Sequence, residues 1–405
     1  MTSALPRHFG FLAGANGAAQ AAEQVSLAAV PIVAVLALNA GPGEIGLLNT
    51  AQSLPFLLLA IPLGLLADRQ SRRRLMVVSE ALRALSLAVL LWATASGRLT
   101  LALLAVLGFA GASGTLGFSV AAPALVPALV PREALGAANS RLELARSAAF
   151  AAGPALAGAL VSWSGASTAF ALATALSVVA VMLLLRLPEP PRTPAPPRHP
   201  MLELQDGARL VWQHRLLRPI LLTAVAWNLS WFVLQAAYVP YAMRTLGLDA
   251  SGVGLTLATY GAGMVVGALA APRILAAMPF GRVVVAGPAT SVLAMATMVA
   301  TLAWPSGALA GLSFFLFGAG PILWTVSSTT LRQTVTPHPM LGRVSSIFLT
   351  GNMGARPLGA ALGGLVGAQW GAAACLWLAL AGFCVQAAVI FGSPLRDLQR
   401  LPPPA

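Results

Sequence analysis

The sequence predicts an all-α polytopic membrane protein with twelve transmembrane helices in two pseudo-symmetric six-helix bundles. Three observations carry that prediction. The 405 residues are 58% hydrophobic and only 9% charged, whereas a soluble domain carries about 25% charged residues. The apolar residues gather into runs of about 20 or more, the length a helix needs to cross a hydrocarbon core about 30 Å thick. The basic residues, all arginine, concentrate in every second connection between those runs, which is the signature of a topology fixed by positive charge inside.

Taken in order, the candidate spans are 12–38, 45–67, 75–95, 99–129, 141–163, 167–187, 218–243, 250–273, 281–303, 307–331, 343–367 and 371–392. None shows period-2 alternation, so each satisfies its backbone in lipid as a helix rather than as a barrel strand. Arg7 and His8 precede the first run as in a secretory leader. That run carries Gln20, Glu23 and Gln24 and outlasts a leader's apolar core, so a retained first span is expected.

With both termini cytoplasmic, eighteen arginines fall in inside regions and two, Arg98 and Arg244, in outside loops. Arg141 and Arg146 fall in the first turns of the fifth span, and Arg83 and Arg356 lie within spans. This bias implies a multi-pass protein of a cytoplasmic membrane with both ends inside. The lipid bilayer is then its first partner.

Between the sixth and seventh spans, 188–200 is dense in proline, which excludes a helix and favours an extended linker. The stretch 202–217 that follows alternates at helical spacing and is expected to lie along the inner membrane surface. The organisation is therefore a six-helix bundle over 1–187, a linker with an interfacial helix over 188–217, and a second bundle over 218–405. A faint repeat supports duplication: Gly64–Asp68 recurs as Gly267–Ala271, and Pro131 with Leu135 and Gly136 recurs as Pro337 with Leu341 and Gly342. Two six-helix units in parallel are a transporter construction with the substrate site at mid-membrane.

The loop after the second span reads Gly64, Asp68, Arg69, then Arg72 to Arg74. It resembles the Gly-x-x-x-Asp-Arg-x-x-Arg-Arg motif of the major facilitator superfamily, with Ser71 where a glycine is usual. Gly153, Pro154 and Gly158 are similar to the Gly-Pro-x-x-x-Gly signature of drug and proton antiporters, although that signature's upstream glycines are alanine or serine here. Leu331, Arg332 and Gln333 with Pro337, Leu341, Gly342 and Arg343, and Pro357, Leu358 and Gly359 with Gly363 and Gly364, resemble the bacterial branch that exports siderophores, macrolides and other drugs. The resemblance implies alternating access with Gly64, Asp68, Arg69, Arg73, Glu80, Arg83, Gly153 and Pro154 at the gate. Asp68 reads either as a loop acid paired with arginines or as a latch on the N-terminus of the eleventh span, where a helix dipole favours an anion.

Polar residues inside spans are the other candidates. Glu23 sits about 17 Å along the first helix, near mid-membrane. It is expected either to carry the coupling proton or to hydrogen-bond Gln20, which shares its face and is a candidate substrate contact. Arg356, mid-way along the eleventh span, reads as a partner of Glu23, an attractor of an anionic substrate, or a cap on carbonyls of its glycine-rich helix. Glu80 and Arg83 share a face and read as an ion pair with the motif loop or as a substrate contact. Trp227, Asn228, Trp231 and Trp324 occupy spans that resemble the family's cavity-lining set, and read as substrate walls or as packing.

Basic charge spread singly between apolar runs excludes a nucleic-acid surface. A lysine-free chain has no P-loop. His8, His199, His214 and His338 are dispersed, so no catalytic constellation, metal site or cofactor is expected. Cys375 and Cys384 are expected as buried small hydrophobes rather than a disulfide. The function expected is a secondary active transporter, not an enzyme: a monomeric, proton-coupled exporter of hydrophobic or amphipathic small molecules. A lysophospholipid flippase or nutrient importer on the same fold stands as the alternative, with a transport-inactive receptor or lipid-scrambling scaffold as the rival of another class.

Overall fold

A computed structural model describes residues 6–60, 62, 63, 66, 70–131, 134–188, 200–337 and 340–403. Among them there is no strand. Six helices precede the linker: α1 (Arg7–Leu38), α2 (Pro42–Leu58), α3 (Arg72–Ala95), α4 (Leu101–Leu129), α5 (Leu135–Ser164) and α6 (Ala166–Leu185). After it come the short α7 (Pro200–Gln213), then α8 (Leu217–Arg244), α9 (Ala250–Ala277), α10 (Phe280–Ala300), α11 (Gly307–Val335) and α12 (Leu341–Phe391). Ten of these are long and apolar enough to cross a membrane. One of the ten, the 51-residue α12, is two spans joined at Gly371, whose φ of 79° only glycine adopts without strain. With α2 these make the twelve spans of the two pseudo-symmetric bundles.

Helix starts are set by side chains that accept the otherwise unpaired first-turn amides. Ser71 accepts from the Arg74 amide at 3.0 Å, Thr100 from Leu103 at 3.2 Å, and Asp249 from Gly252 at 2.8 Å. Asn39, with φ of 52°, ends α1 in the left-handed conformation. Prolines sit inside nine of the helices, among them Pro154 in α5 and Pro357 in α12. Spanning helices tolerate this because neighbouring groups re-satisfy the freed carbonyls.

The chain divides into two compact units. The first comprises Met1–Ala40, Thr50–Pro196 and Leu248–Ala258; the second comprises Gly41–Asn49, Pro197–Gly247 and Thr259–Ala405. In the first, α1 packs on α5 and α6, and α3 packs on α4 and α6, around Phe9, Leu12, Met76, Phe118, Leu125 and Leu184. In the second, α8 packs on α12 and α10 on α11, with Ile220, Val284, Leu331, Val344 and Ile390 in its core.

The amphipathic α7 is docked on the start of α12. Val211 is fully buried in the second core, Asp206 pairs with Arg343 at the start of α12 at 2.8 Å, and Gly207 presses on the Arg343 backbone. The cysteines differ from the sequence expectation in one respect. Cys375 is buried and donates to the Gly363 carbonyl, but Cys384 is exposed.

Candidate functional site

The first unit holds its chemistry on α3. The α3–α4 crossing is close because Gly114 and Gly117 lie against Ser79: a β-carbon on Gly114 would collide with the Ser79 carbonyl oxygen. That closeness buries Glu80 and Arg83, which are 0% and 3% exposed. Arg83 Nη2 donates to Glu80 Oε1 at 2.6 Å and to the Ala19 carbonyl of α1 at 2.8 Å. Its Nε donates to Ser177 of α6 at 3.3 Å, and its Nη1 to Thr115 of α4 at 3.3 Å. One guanidinium thus ties four helices together, as its planar fork of five donors permits. Glu80 Oε2 has no hydrogen-bond partner among the described residues.

Gln20 and Glu23 are half-buried one turn apart on α1. Gln24, next to them, is buried under Gly153 of α5, where a β-carbon would come within 2.5 Å of it. The carbonyl of Pro154, the following residue, faces Gly254, whose β-carbon would lie 2.5 Å away. Arg73 donates to the carbonyls of Leu184 at 3.3 Å and Leu185 at 2.6 Å, capping the C-terminus of α6. Gly64, Asp68 and Arg69 lie outside the described residues.

The second unit places Arg356 on α12 against α8. Its Nε donates to Asn228 Oδ1 at 3.3 Å, and its guanidinium lies 5.8 Å from the Phe232 ring. Asn228 in turn donates to the Ala224 carbonyl. Asn352, one turn before Arg356, buries its Oδ1 with no hydrogen-bond partner among the described residues. On the adjoining face of α8, Trp227 and Trp231 stack at 5.2 Å and 10°. Trp231 also meets Tyr260, Phe314 and Phe317. The Trp227 indole nitrogen is buried with no hydrogen-bond partner among the described residues. Trp324 is placed elsewhere: it packs in the core with Val284 and Leu331, its Cβ against Gly287.

The structure therefore brings Arg356, Asn228, Trp227 and Trp231 together, and Glu80 together with Arg83. Sequence reasoning missed Thr115, Ser177, Asn352 and Tyr260. Asn352 carried a legible signal, a polar residue four before Arg356 on the same helical face. Thr115 and Ser177 carried none, since a lone hydroxyl in a span satisfies itself on its own helix. Among the described residues no group of three His, Cys, Asp or Glu side chains stands together to hold a metal ion.

The chemistry these residues offer is binding. Comparison with known proteins identifies the family. A family model described as transmembrane secretion effector matches residues 21–402. An uncharacterized MFS-type transporter, y4rN of Sinorhizobium fredii, is 30% identical over 348 residues, 83% of this chain and 82% of that protein. The enterobactin exporter EntS of Citrobacter koseri is 27% identical over 309 residues, 76% of this chain and 72% of that protein. A bacterial homologue of the iron transporter ferroportin superposes with a TM-score of 0.76 at 17% identity, covering 96% of this chain and 99% of that one. The chain is thus a multi-pass transporter and not an enzyme, and it belongs to the transmembrane secretion effector family of the major facilitator superfamily.

Proposed function

We propose that this protein is a proton-driven exporter of amphipathic small molecules with an aromatic body and an anionic or strongly polar head, siderophore-like or drug-like. It works by alternating access, as a monomer in a bacterial inner membrane with both termini cytoplasmic. The observation that carries the reading is the Arg356 site. Arg356 donates to Asn228 Oδ1 and lies over the Phe232 ring. A guanidinium within a spanning helix, beside the stacked Trp227 and Trp231, suits an aromatic anion.

Glu23 carries the coupling proton in this reading, and Gln20 contacts substrate from the same face of α1. Gly64, Asp68, Arg69 and Arg73 form the gate with Gly153, Pro154 and the Glu80–Arg83 pair. Trp324 supports the α10–α11 packing behind the substrate wall.

The test is uptake of enterobactin, the compound named for the EntS relative, into inside-out vesicles with an acidic interior. Accumulation that a protonophore abolishes, and that Arg356→Gln lowers at least about tenfold (equivalent to about 1.4 kcal/mol), is the expected result. Uptake indifferent to the pH gradient overturns the proton-driven reading.

A further inference from the structure

Glu80 is a fully buried acid that the proposed cycle uses only as part of the gate. Its Oε1 holds Arg83, its Oε2 has no hydrogen-bond partner among the described residues, and the pair sits inside a spanning helix. A permanently ionised structural pair in such a place is expected to satisfy all its oxygens, because each unsatisfied one loses its solvation without return. An orphaned carboxylate oxygen is also where a proton can sit. The charged surroundings are simple. Helices α4 and α6, which pack on α3, contain no Asp, Glu, His, Lys or Arg. From α1, which Arg83 reaches through Ala19, the titratable side chains are Arg7 and His8 in the first turn and Glu23 one turn beyond Ala19. On α3 itself, Arg72, Arg73 and Arg74 lie in the first turn.

We infer that Glu80 is a second, occluded proton site whose protonation releases Arg83 from its bridge to α1. The step is one proton: the Glu80 carboxylate takes it from water in a state where the site is hydrated, becomes neutral, and returns it to water when the site next opens. While Glu80 is ionised, Arg83 is held at 2.6 Å and reaches the Ala19 carbonyl. In an α-helix that carbonyl already accepts the amide of residue 23, so the guanidinium grips the turn that carries Gln20 and Glu23. With the proton on Glu80, Arg83 loses its counter-charge and the grip on that turn weakens. The close Ser79–Gly114 crossing holds the α3 backbone in place, so the response falls on the side chain and on α1. The inference rests on the proton-driven reading for its role in transport, but the proton site itself is measurable without a substrate.

The experiment is an infrared titration of the purified full-length protein from about pH 4 to about pH 10, subtracting the spectrum of Glu80→Gln from that of wild type at each pH. The expected difference is a protonated-carboxyl stretch at the acid end that converts to an ionised carboxylate along a one-proton curve. Glu23→Gln is expected to retain this band. If Glu80→Gln does not fold, the charge-neutral double variant Glu80→Gln/Arg83→Gln is subtracted in its place. A difference showing an ionised carboxylate at every pH, a protonated one at every pH, or a titrating band that Glu23→Gln removes overturns the inference. A titrating Glu80 band in a protein whose vesicles ignore the pH gradient keeps the site and sinks the exporter reading instead.

Discussion

Arg83 donates to the carbonyl of Ala19, 64 residues earlier and on a different helix, at 2.8 Å. It links the buried acid of α3 to the turn of α1 that holds Gln20 and Glu23. Removing the cation alone leaves Glu80 charged and uncompensated. Arg83→Ala is therefore expected to destabilise the first unit by about 3–5 kcal/mol, while Glu80→Gln/Arg83→Gln loses much less. Thermal unfolding in detergent checks both, and equal losses would argue against a buried ion pair.

The α3–α4 crossing makes a sharper contrast between two glycines one turn apart. A β-carbon on Gly114 collides with the Ser79 carbonyl, whereas one on Gly111 finds its nearest atoms at 3.9 Å. Gly114→Ala is expected to cost about 1–3 kcal/mol through overpacking, and Gly111→Ala to be neutral or slightly stabilising through helix propensity. Melting temperatures of the two variants decide it.

His214 gives a pH dependence outside the membrane. Its Nδ1 accepts the amides of Leu216 at 3.2 Å and Leu217 at 3.3 Å, capping the start of α8. Only an unprotonated Nδ1 accepts, and burial lowers the pKa from 6.5. A base with a lowered folded pKa stabilises fully above its unfolded value and loses that contribution as pH falls through the folded one. Melting temperature is expected to drop below about pH 6.5 in wild type and to drop less in His214→Asn, which keeps a cap acceptor without titrating.

The linker helix offers a test of charge against packing. Asp206 and Arg343 are 60% and 33% exposed, and such a pair contributes about 0–1 kcal/mol. Asp206→Asn is expected to change stability by less than that. Gly207→Leu is expected to cost more, because a β-carbon there would lie 2.9 Å from the Arg343 carbonyl oxygen. Limited proteolysis of 188–199 in the two variants reads whether α7 has come away.

The fold was legible because lipid leaves few choices: long apolar runs must be helices, and arginines alternate with topology. Gly371 was also legible as the break between the last two spans, since the predicted boundary fell there. The candidate site was legible where a charge, an amide or an indole stood in a span. Arg356, Glu80 and Arg83 announced themselves, and Trp227, Asn228 and Trp231 stood out in the seventh span. The hydroxyls of Thr115 and Ser177 did not, because their role depends on Arg83 arriving from another helix. Trp324 looked equivalent to Trp231 in sequence. Their difference, core packing with Val284 and Leu331 against stacking on Trp227, is tertiary and leaves no mark on local pattern. The docking of α7 escaped for the same reason, since an amphipathic helix reads alike whether it faces lipid or Val344.

Acids and substrate-type groups are divided along the chain. Glu23 and Glu80 lie in the first half, while residues 217–392 carry Arg356, Asn228 and the tryptophans with Asp249 as their one carboxylate. The central claim is that Glu23 and Glu80 handle protons and that Arg356 binds substrate. The direct measurement compares gradient-driven uptake of enterobactin with gradient-free exchange in proteoliposomes of wild type, Glu80→Gln and Arg356→Gln. The account predicts that Glu80→Gln loses gradient-driven uptake, and that Arg356→Gln loses both uptake and exchange at least about tenfold. Gradient-driven uptake kept by Glu80→Gln, or full exchange in Arg356→Gln, would contradict it.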